Sequence, residues 1–425
     1  MTADVDGADE PARLRHALVR SLIDAGWPSD PRVMAALETV PRHVFVPGVP
    51  LQQAYANDVV HTKLAEDGRP ISAASQPRIV AMMLQQADVR AGHRVLEIGA
   101  GTGYNAGLLA ELAGPDGQVT TVDVDADLVE AAAANLAAAG YGSVRVVCGD
   151  GALGDPSGAP FDVVIATVGA WRVPQAWLDQ VAAGGRLVVP QRIRGRMTRS
   201  VVYERGTAGR WVSVDHQLCG FMPLRGGAAD DPYSSIDLTG DGQVRLGVYQ
   251  EQHIDAAALA GVLDRPRVQI RTGVRFGGSE SLEWLWLWLA CALPGGLSEL
   301  HADRATRDTG VVVAPYGVWL MATTGRAALA YATVLDPVDG GTGVEVVVVG
   351  HSTDGGGLAE RMAACVVDWD RRYRGHDVHL TLELGTEPAS GSAAVPDDVC
   401  DAAHGRFVFG MPGSRLTVRW ADAAL

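Results

Sequence analysis

The sequence predicts an α/β domain, a parallel sheet with helices on both faces, followed by a second domain of α+β character. With 425 residues, the chain is longer than one hydrophobic core usually requires. Strand-like and helix-like segments alternate from about residue 78 to residue 190, which is typical of a parallel sheet. A polar stretch rich in Gly, Ala and Asp, residues 225–231, then interrupts the pattern. We therefore predict domains at 1–225 and 232–425.

The elements of the first domain follow in chain order. Apolar residues at helical spacing predict helices within 11–40, and Pro41 ends that pattern. The alternating region that follows is predicted to contain helices at 79–86, 104–112, 128–139 and 177–181, and strands at 94–98, 119–124, 144–147, 161–166 and 186–189. Residues 59–74 are expected to form a loop, and two antiparallel strands, 201–204 and 211–221, extend the sheet.

The second domain is predicted to contain helices at 279–293 and 357–373 and strands at 344–349, 378–384 and 415–420. Three tryptophans, at 284, 286 and 288, crowd into its first helix. On a helix Trp284 and Trp288 share a face and Trp286 lies opposite, so one of them should point away from the others. Core packing is the expectation for the group, with an interface anchor as the alternative.

Composition excludes several classes of function. The formal net charge of −15 disfavours binding to nucleic acid or to a membrane surface, because phosphate contacts need clustered Lys and Arg. The five cysteines lack metal-site spacing, so we expect no metal and mainly buried free thiols. The most apolar stretch, 282–293, is too short to span a bilayer, and residues 1–10 do not resemble a secretory signal. We expect a cytoplasmic protein, and we interpret its single lysine, Lys63, as a matter of composition.

A glycine-rich turn at 99–103 carries the strongest functional signal. It follows a predicted strand and precedes a helix, and its glycines let the backbone approach a ligand at the edge of a Rossmann-like sheet. The glycines by themselves would also suit NAD or a plain loop. Glu97, two residues before the first glycine, favours S-adenosylmethionine as the ligand. The amino group of S-adenosylmethionine is cationic and suits an acidic side chain, and the carboxylate of S-adenosylmethionine can meet backbone N–H groups.

Two acidic residues should complete the cofactor site. Asp123 ends the second strand, where an acid accepts hydrogen bonds from ribose hydroxyls. Its alternative is a helix cap, a role that Asp125 fits better. Asp150, between two glycines, is expected to meet the adenine amino group, with a plain turn as the alternative. The full predicted cofactor set is Glu97, Gly99, Ala100, Gly101, Thr102, Asp123, Val124, Asp150 and Gly151.

Three further segments narrow the family. The first consists of residues 40–47 followed by 54–58, and the second is Ser75-Gln76-Pro77. The third extends from 149–151 to 184–190 and includes 159–162. In order and spacing the chain resembles the protein L-isoaspartyl O-methyltransferases over roughly residues 15–225. The resemblance implies S-adenosylmethionine as cofactor, S-adenosylhomocysteine as product, and a peptide or protein substrate. It places Ser75 on the substrate carboxylate as the catalytic residue, with Gln76, Thr167 and Trp171 also on the substrate side. The alternative for Ser75 is a helix N-cap.

The chain also departs from the repair enzymes of that family, in the 59–74 segment, at Trp171, and in the roughly 200 residues that follow the resemblance. These departures resemble the branch associated with ribosomally made peptides, such as the lanthipeptide "FxLD system" and graspetide enzymes. They imply methylation of an Asp side chain in a modified precursor peptide, leading to succinimide or isoaspartate. Repair of damaged protein is the first alternative; a small-molecule methyltransferase and a non-catalytic peptide-binding scaffold are the others.

The predicted chemistry needs no general base. A carboxylate is already ionised at neutral pH, so the enzyme has only to align it with the methyl group. We therefore interpret His61 as a loop residue and His43 as a packing residue.

Overall fold

The protein folds into two compact units. The first comprises Met1–Gln191, Thr198–Asp231 and Glu383–Gly385, and the second comprises Arg192–Met197, Pro232–Leu382 and Thr386–Leu425. The structure, a computed structural model, describes residues 10–66, 68, 70–206, 210–226, 233–249, 252–278, 280–316, 319–384, 398–411 and 413–421. Most of the stretch in which we predicted the domain boundary, residues 227–231, lies outside the described residues.

The first unit contains seven helices and nine strands among its described residues. The helices are α1 (Glu10–Asp24), α2 (Pro31–Thr39), α3 (Leu51–Ala54), α4 (Pro77–Ala87), α5 (Tyr104–Ala113), α6 (Ala126–Ala138) and α7 (Gln175–Gln180). The strands are β1 (Val60–Leu64), β2 (Pro70–Ala74), β3 (Arg94–Ile98), β4 (Gln118–Asp123), β5 (Arg145–Cys148), β6 (Phe161–Ala166), β7 (Val181–Arg194), β8 (Met197–Arg205) and β9 (Trp211–Leu218).

The main sheet of this unit confirms the predicted α/β class. Its strands run in the order β9-β8-β7-β6-β3-β4-β5. Strands β3 to β7 pair in parallel, whereas β8 and β9 pair antiparallel. Because β3 lies between β4 and β6, the chain crosses to opposite sides of β3, and a crevice opens at its carboxyl end. That crevice is where a ligand is expected.

Strand β3 is buried on both faces, and its one acidic side chain, Glu97, is buried with it. Val95, Leu96 and Ile98 are all at most 1% exposed, as expected for a central strand covered by helices on both sides. The turn after it requires close packing at Gly103, whose φ is +86°. A Cβ there would lie 3.1 Å from the Ala132 carbonyl oxygen in α6. A side chain at this position would push α6 away from the turn.

Strands β1 and β2 form a hairpin within the segment for which a loop was predicted, so that prediction was wrong. Strand β1 pairs antiparallel with β2, with Val60 opposite Ala74 and Lys63 opposite Ser72. His61 therefore lies on a strand, with its side chain exposed, and is not a loop residue. Strand β1 buries only its first residue, so its sequence lacks the alternation that identifies a half-buried strand. His43 is a packing residue, as predicted, with its Nδ1 2.8 Å from the Tyr55 hydroxyl.

The second unit is built on a seven-stranded sheet with the order β10-β11-β13-β14-β15-β16-β12. These strands are β10 (Ser234–Asp237), β11 (Val244–Val248), β12 (Arg267–Phe276), β13 (Ser298–Ala302), β14 (Trp319–Gly325), β15 (Ala328–Leu335) and β16 (Val344–His351). The other elements are α8 (Glu283–Ala292), α9 (Arg304–Asp308), α10 (Gly357–Arg372), β17 (Val378–Leu384), β18 (Val399–Asp401), β19 (Arg406–Met411) and β20 (Ser414–Trp420). The α+β character is as predicted, although most of these strands were not.

The burial of the α8 tryptophans does not follow the predicted pairing of Trp284 with Trp288. Trp288 is 1% exposed, makes tilted and edge-to-face contacts with aromatic rings of the same unit, and donates its indole N–H to the Cys365 carbonyl oxygen at 3.0 Å. Trp284 and Trp286 are both only partly buried. The cysteines also differ in burial: all five are free, but two of them, Cys148 and Cys400, are exposed, which corrects the expectation of mainly buried thiols.

Candidate active site

The glycine turn after β3 is fixed by a hydroxyl from the neighbouring strand. Gly99 has φ +102°, and a Cβ there would lie 2.7 Å from the Thr167 hydroxyl oxygen. That hydroxyl donates a hydrogen bond to the Gly99 carbonyl oxygen at 2.7 Å. The backbone N–H of Gly99 donates to the Val122 carbonyl oxygen at 2.8 Å. Thr167, predicted on the substrate side, thus also shapes the cofactor side.

Asp123 braces the same turn from the end of β4. One carboxylate oxygen accepts a hydrogen bond from the Gly101 N–H at 2.9 Å, and the other accepts from the Asp125 N–H at 3.2 Å. The side chain lines the pocket described below and is 8% exposed. Each carboxylate oxygen keeps a free lone pair with which it can accept from a ligand hydroxyl.

Glu97 is a fully buried carboxylate beneath the turn. It accepts hydrogen bonds from the Asn105 amide at 2.8 Å and from the Thr121 hydroxyl at 2.6 Å. Burial nevertheless raises the pKa of Glu97 to about 7, and the nearby Asp123 charge acts in the same direction. An ammonium group brought next to this carboxylate would reverse that shift, because an opposite charge favours the ionised form. Neither Asn105 nor Thr121 was predicted, since nothing local in the sequence marks them as partners of Glu97.

These residues line one pocket at the carboxyl ends of β3 and β4. Its walls come from the glycine turn, from residues 71–74 of the hairpin with Ser75 directly after it, and from residues 221–225, which we call the strap. Of the predicted cofactor residues, the pocket is lined by Glu97, Gly99, Ala100, Gly101, Thr102, Asp123, Val124 and Gly151.

A larger cleft of about 860 Å³ adjoins this pocket. It shares several lining residues with the pocket, namely Ala73, Ser75, Thr167, Phe221 and Met222. Apolar side chains such as Trp27 and Met82 line much of it, together with Arg78 and His61. Among the described residues that line the cleft there is no Asp or Glu, although the whole chain contains 50 of them.

Ser75 lies where the pocket and the cleft meet. The cap position of α4 belongs to Gln76, so the alternative that made Ser75 the helix N-cap was wrong. Gln76 lines the cleft and donates its side-chain amide to the Asn57 carbonyl oxygen at 3.0 Å. The carbonyl oxygen of Ser75 accepts a hydrogen bond at 3.0 Å from the buried guanidinium of Arg42.

Arg42 lies in the 40–47 segment, and the sequence alone assigned it no role. Its side chain is fully buried, donates to the Ala54 carbonyl oxygen at 2.9 Å, and lies over the Tyr104 ring at 4.9 Å. Burial lowers the pKa of Arg42. The residue ties the segment before the hairpin to the segment that carries Ser75.

Three residues with predicted roles do not line the pocket. The Asp150 carboxylate accepts from the Ala152 N–H at 3.0 Å as the cap of a short 3-10 turn, and its contact with the adenine amino group stays a prediction. Trp171 is 8% exposed and lines neither the pocket nor the cleft, because backbone bridges from Gly169 to Pro223 and from Ala170 to Gln191 direct it into the core. The Asp125 side chain does not cap α6 but forms ion pairs.

The part of the chain that the structure describes shows neither a metal-binding cluster nor a membrane-spanning helix. No three His, Cys, Asp or Glu side chains in that part of the chain come together in a way that could hold a metal ion. None of the helices described is long and apolar enough to cross a membrane.

Comparison with known proteins matches the first unit to one family. The family described as protein-L-isoaspartate(D-aspartate) O-methyltransferase matches residues 13–229. A protein-L-isoaspartate O-methyltransferase of Methanopyrus kandleri is 40% identical over 215 residues, which cover 50% of this chain and 92% of that protein. The Methanoculleus marisnigri protein of the same name is 42% identical over 219 residues, covering 52% and 94%. A solved structure named protein-L-isoaspartate O-methyltransferase aligns with 21% identity and a TM-score of 0.47, covering 87% of this chain and 96% of that one.

Proposed function

The chain belongs to the protein-L-isoaspartate(D-aspartate) O-methyltransferase family, and on that premise we propose that it methylates the free carboxylate of isoaspartyl residues in peptides or proteins. That it is an S-adenosylmethionine-dependent methyltransferase follows from the family. The identity of the acceptor is the proposal. Among the alternatives raised by the sequence, the relatives favour this repair-type activity over the tailoring of one peptide.

The pocket suits S-adenosylmethionine in charge and in shape. Glu97 offers a buried carboxylate to the cationic amino group, and Asp123 offers lone pairs to the ribose hydroxyls. Gly99 lines the pocket with its backbone, because the Thr167 hydroxyl occupies the space in which a side chain would begin. When bound, the cofactor supplies a methyl group activated by its sulfonium.

The observation that carries the proposal is the junction between the pocket and the cleft. A carboxylate entering from the cleft reaches Ser75 and Thr167, which line both spaces. The cleft-lining residues described include Arg78 and no acid, so the approaching anion meets no like charge in a chain whose net charge is −15. An anionic acceptor is therefore the class that the cleft favours.

Alignment is the chemistry left to the protein. The acceptor carboxylate is already ionised near neutral pH, so no side chain has to remove a proton from it. Ser75 can donate its hydroxyl to one carboxylate oxygen, while Arg42 fixes the backbone that carries Ser75. Holding the second oxygen in line with the methyl group replaces a chance encounter by a prepared one.

The test compares two short peptides of the same sequence, one with isoAsp and one with Asp. With the purified full chain and S-adenosylmethionine, we expect only the isoAsp peptide to gain the mass of one CH₂ group. Ser75→Ala should slow that gain. Methylation of the Asp peptide at an equal or greater rate would overturn the proposal.

A second proposal concerns the tailoring of a ribosomally made, modified peptide, and the extent of the family match favours it. The match ends at residue 229, so residues 232–425 have no part in it, and added surface can confer selectivity for one substrate. This proposal predicts that a modified precursor peptide is methylated on Asp in preference to a generic isoAsp peptide. Equal or better turnover of the generic peptide would contradict it and leave the first proposal standing.

A further inference from the structure

The lone lysine of the chain lies in an ion-pair cluster at the rim of the cofactor pocket. Lys63 Nζ is 3.1 Å from an Asp125 carboxylate oxygen and 2.7 Å from one of Asp127. Arg225 donates to the same Asp125 carboxylate at 2.8 and 3.3 Å. We call this cluster, Lys63, Asp125, Asp127 and Arg225, the rim cluster. It contains two cations and two anions and is therefore neutral.

Three members of the rim cluster, Lys63, Asp125 and Arg225, come from three different walls of the pocket. Lys63 is on β1, and its hairpin partner β2 contributes lining residues 71–74. Arg225 ends the strap, which lines the pocket from residue 221 onward. Asp125 follows directly after Asp123 and Val124, which line the pocket at the end of β4. The Asp125 carboxylate thus joins Lys63, which is 62 positions earlier in the chain, to Arg225, which is 100 positions later.

An isolated surface ion pair contributes little, because solvent screens it. The rim cluster differs in that the Asp125 side chain is only 19% exposed and receives two cations at once. Arg225 and Lys63 together hold the pKa of Asp125 below its usual value, although burial opposes this. The strap has a second anchor at Gly169, whose N–H donates to the Met222 carbonyl oxygen at 2.7 Å. Arg225 therefore secures the end of a segment that is already held at its centre.

We propose that Lys63, Asp125 and Arg225 are positioning residues that hold the hairpin and the strap closed against the end of β4. The closed arrangement retains the cofactor during turnover. The product S-adenosylhomocysteine is released only when these ion pairs open. None of the three transfers the methyl group. The proposal depends on the pocket holding the cofactor and not on which peptide is methylated, so failure of the isoAsp assay leaves it intact.

The test measures release of S-adenosylhomocysteine from the full-length protein, with labelled ligand chased by an excess of unlabelled ligand. Lys63→Met, Asp125→Asn and Arg225→Met should each accelerate release by about fivefold to about thirtyfold, the range expected when one partly buried interaction is lost. Lys63→Arg keeps the positive charge and should stay within about twofold of the wild type. The matched control is Arg90→Met, which breaks a 2.8 Å surface pair with Asp88 that does not line the pocket.

Comparing Lys63→Met with Asp125→Asn separates positioning from simple electrostatics. The first change makes the rim more negative and the second makes it more positive, so a purely electrostatic effect on the nearest charged group of the ligand would have opposite signs in the two variants. Positioning predicts faster release in both. Opposite signs, or unchanged release in both, would overturn the proposal.

Salt gives a second readout, which begins with the wild-type protein. Raising NaCl from about 0.1 M to about 1 M shortens the Debye length from about 10 Å to about 3 Å. Because Lys63 and Arg225 are 29% and 36% exposed, release from the wild type should become faster with salt. Release from Lys63→Met should respond less. An identical salt response in both proteins would contradict the proposal.

Discussion

The buried Glu97 carboxylate should couple cofactor binding to pH. Burial raises its pKa from 4.5 to about 7, so in the ligand-free protein it holds a proton at mildly acidic pH. At about 1.4 kcal/mol per pKa unit, the shift corresponds to a penalty of about 3 kcal/mol on the ionised form. A cationic amino group beside the carboxylate requires that ionised form. Binding should therefore release a proton below pH 7, and affinity should weaken by up to about tenfold per pH unit as the pH falls.

Calorimetry of S-adenosylhomocysteine binding between about pH 5.5 and about pH 8 tests this coupling. Titrations in two buffers with different ionisation enthalpies count the protons released. Glu97→Gln should bind more weakly at about pH 8 and lose most of the pH dependence. A wild-type affinity that stays constant across the range would refute the reasoning, and so would a variant that keeps the wild-type slope.

The same shift makes a prediction about the ligand-free protein. Between pH 4.5 and about 7 the folded chain holds a proton on Glu97 that the unfolded chain has already released. The free energy of unfolding should therefore fall as the pH rises through this window. Glu97→Gln removes the titrating group, so its stability should fall less over the same range. A variant whose stability changes with pH as the wild type does would show that other groups dominate.

Three further predictions concern the acceptor side. Ser75→Ala should lower kcat by about tenfold to about a hundredfold, which is the cost of losing one hydrogen bond to a charged group. The affinity for S-adenosylhomocysteine, measured by calorimetry, should stay unchanged. An unaltered kcat would exclude Ser75 from the reaction. Arg78→Glu should reduce kcat/KM about fivefold more for an isoAsp peptide with a neighbouring Glu than for its Gln counterpart, as expected for an exposed charge contact. Arg42→Lys should lower the free energy of unfolding, measured by urea titration, by about 1–3 kcal/mol. The reason is that one ammonium cannot reach both the Ala54 and the Ser75 carbonyl oxygens. A urea midpoint equal to that of the wild type would contradict this.

Local chemistry made much of the cofactor side predictable. The glycine turn, Glu97 and Asp123 follow one another along consecutive elements of an ordinary α/β pattern, and the topology brings them to one edge of the sheet. The partners of Glu97 were missed because Thr121 is 24 residues away and reaches it only through the pairing of β3 with β4. At Asp150 the carboxylate also accepts from its own turn, a local hydrogen bond that the sequence analysis covered only with the alternative of a plain turn.

Lys63 shows most clearly what a sequence read by composition leaves out. A single lysine among arginines looks like a compositional accident, and its segment looks like a loop. The significance of both depends on pairing across the hairpin and on an ion pair that joins positions 63 and 125. Neither interaction has a local signal, because register and tertiary ion pairs are set by the folded chain.

The carboxylates at the end of β4 and beneath the glycine turn have different electrostatic surroundings. Burial raises the pKa of Glu97, whereas two cations lower that of Asp125, so these two acids near the pocket differ in charge at mildly acidic pH. Asp123 has both oxygens held by backbone N–H groups. Because the acceptor carboxylate needs no base, an acid-induced loss of activity above about pH 5 should reflect cofactor capture at Glu97 and not the methyl transfer itself. The pH dependence of this enzyme is then a property of the site that binds the cofactor, and the acceptor side contributes alignment.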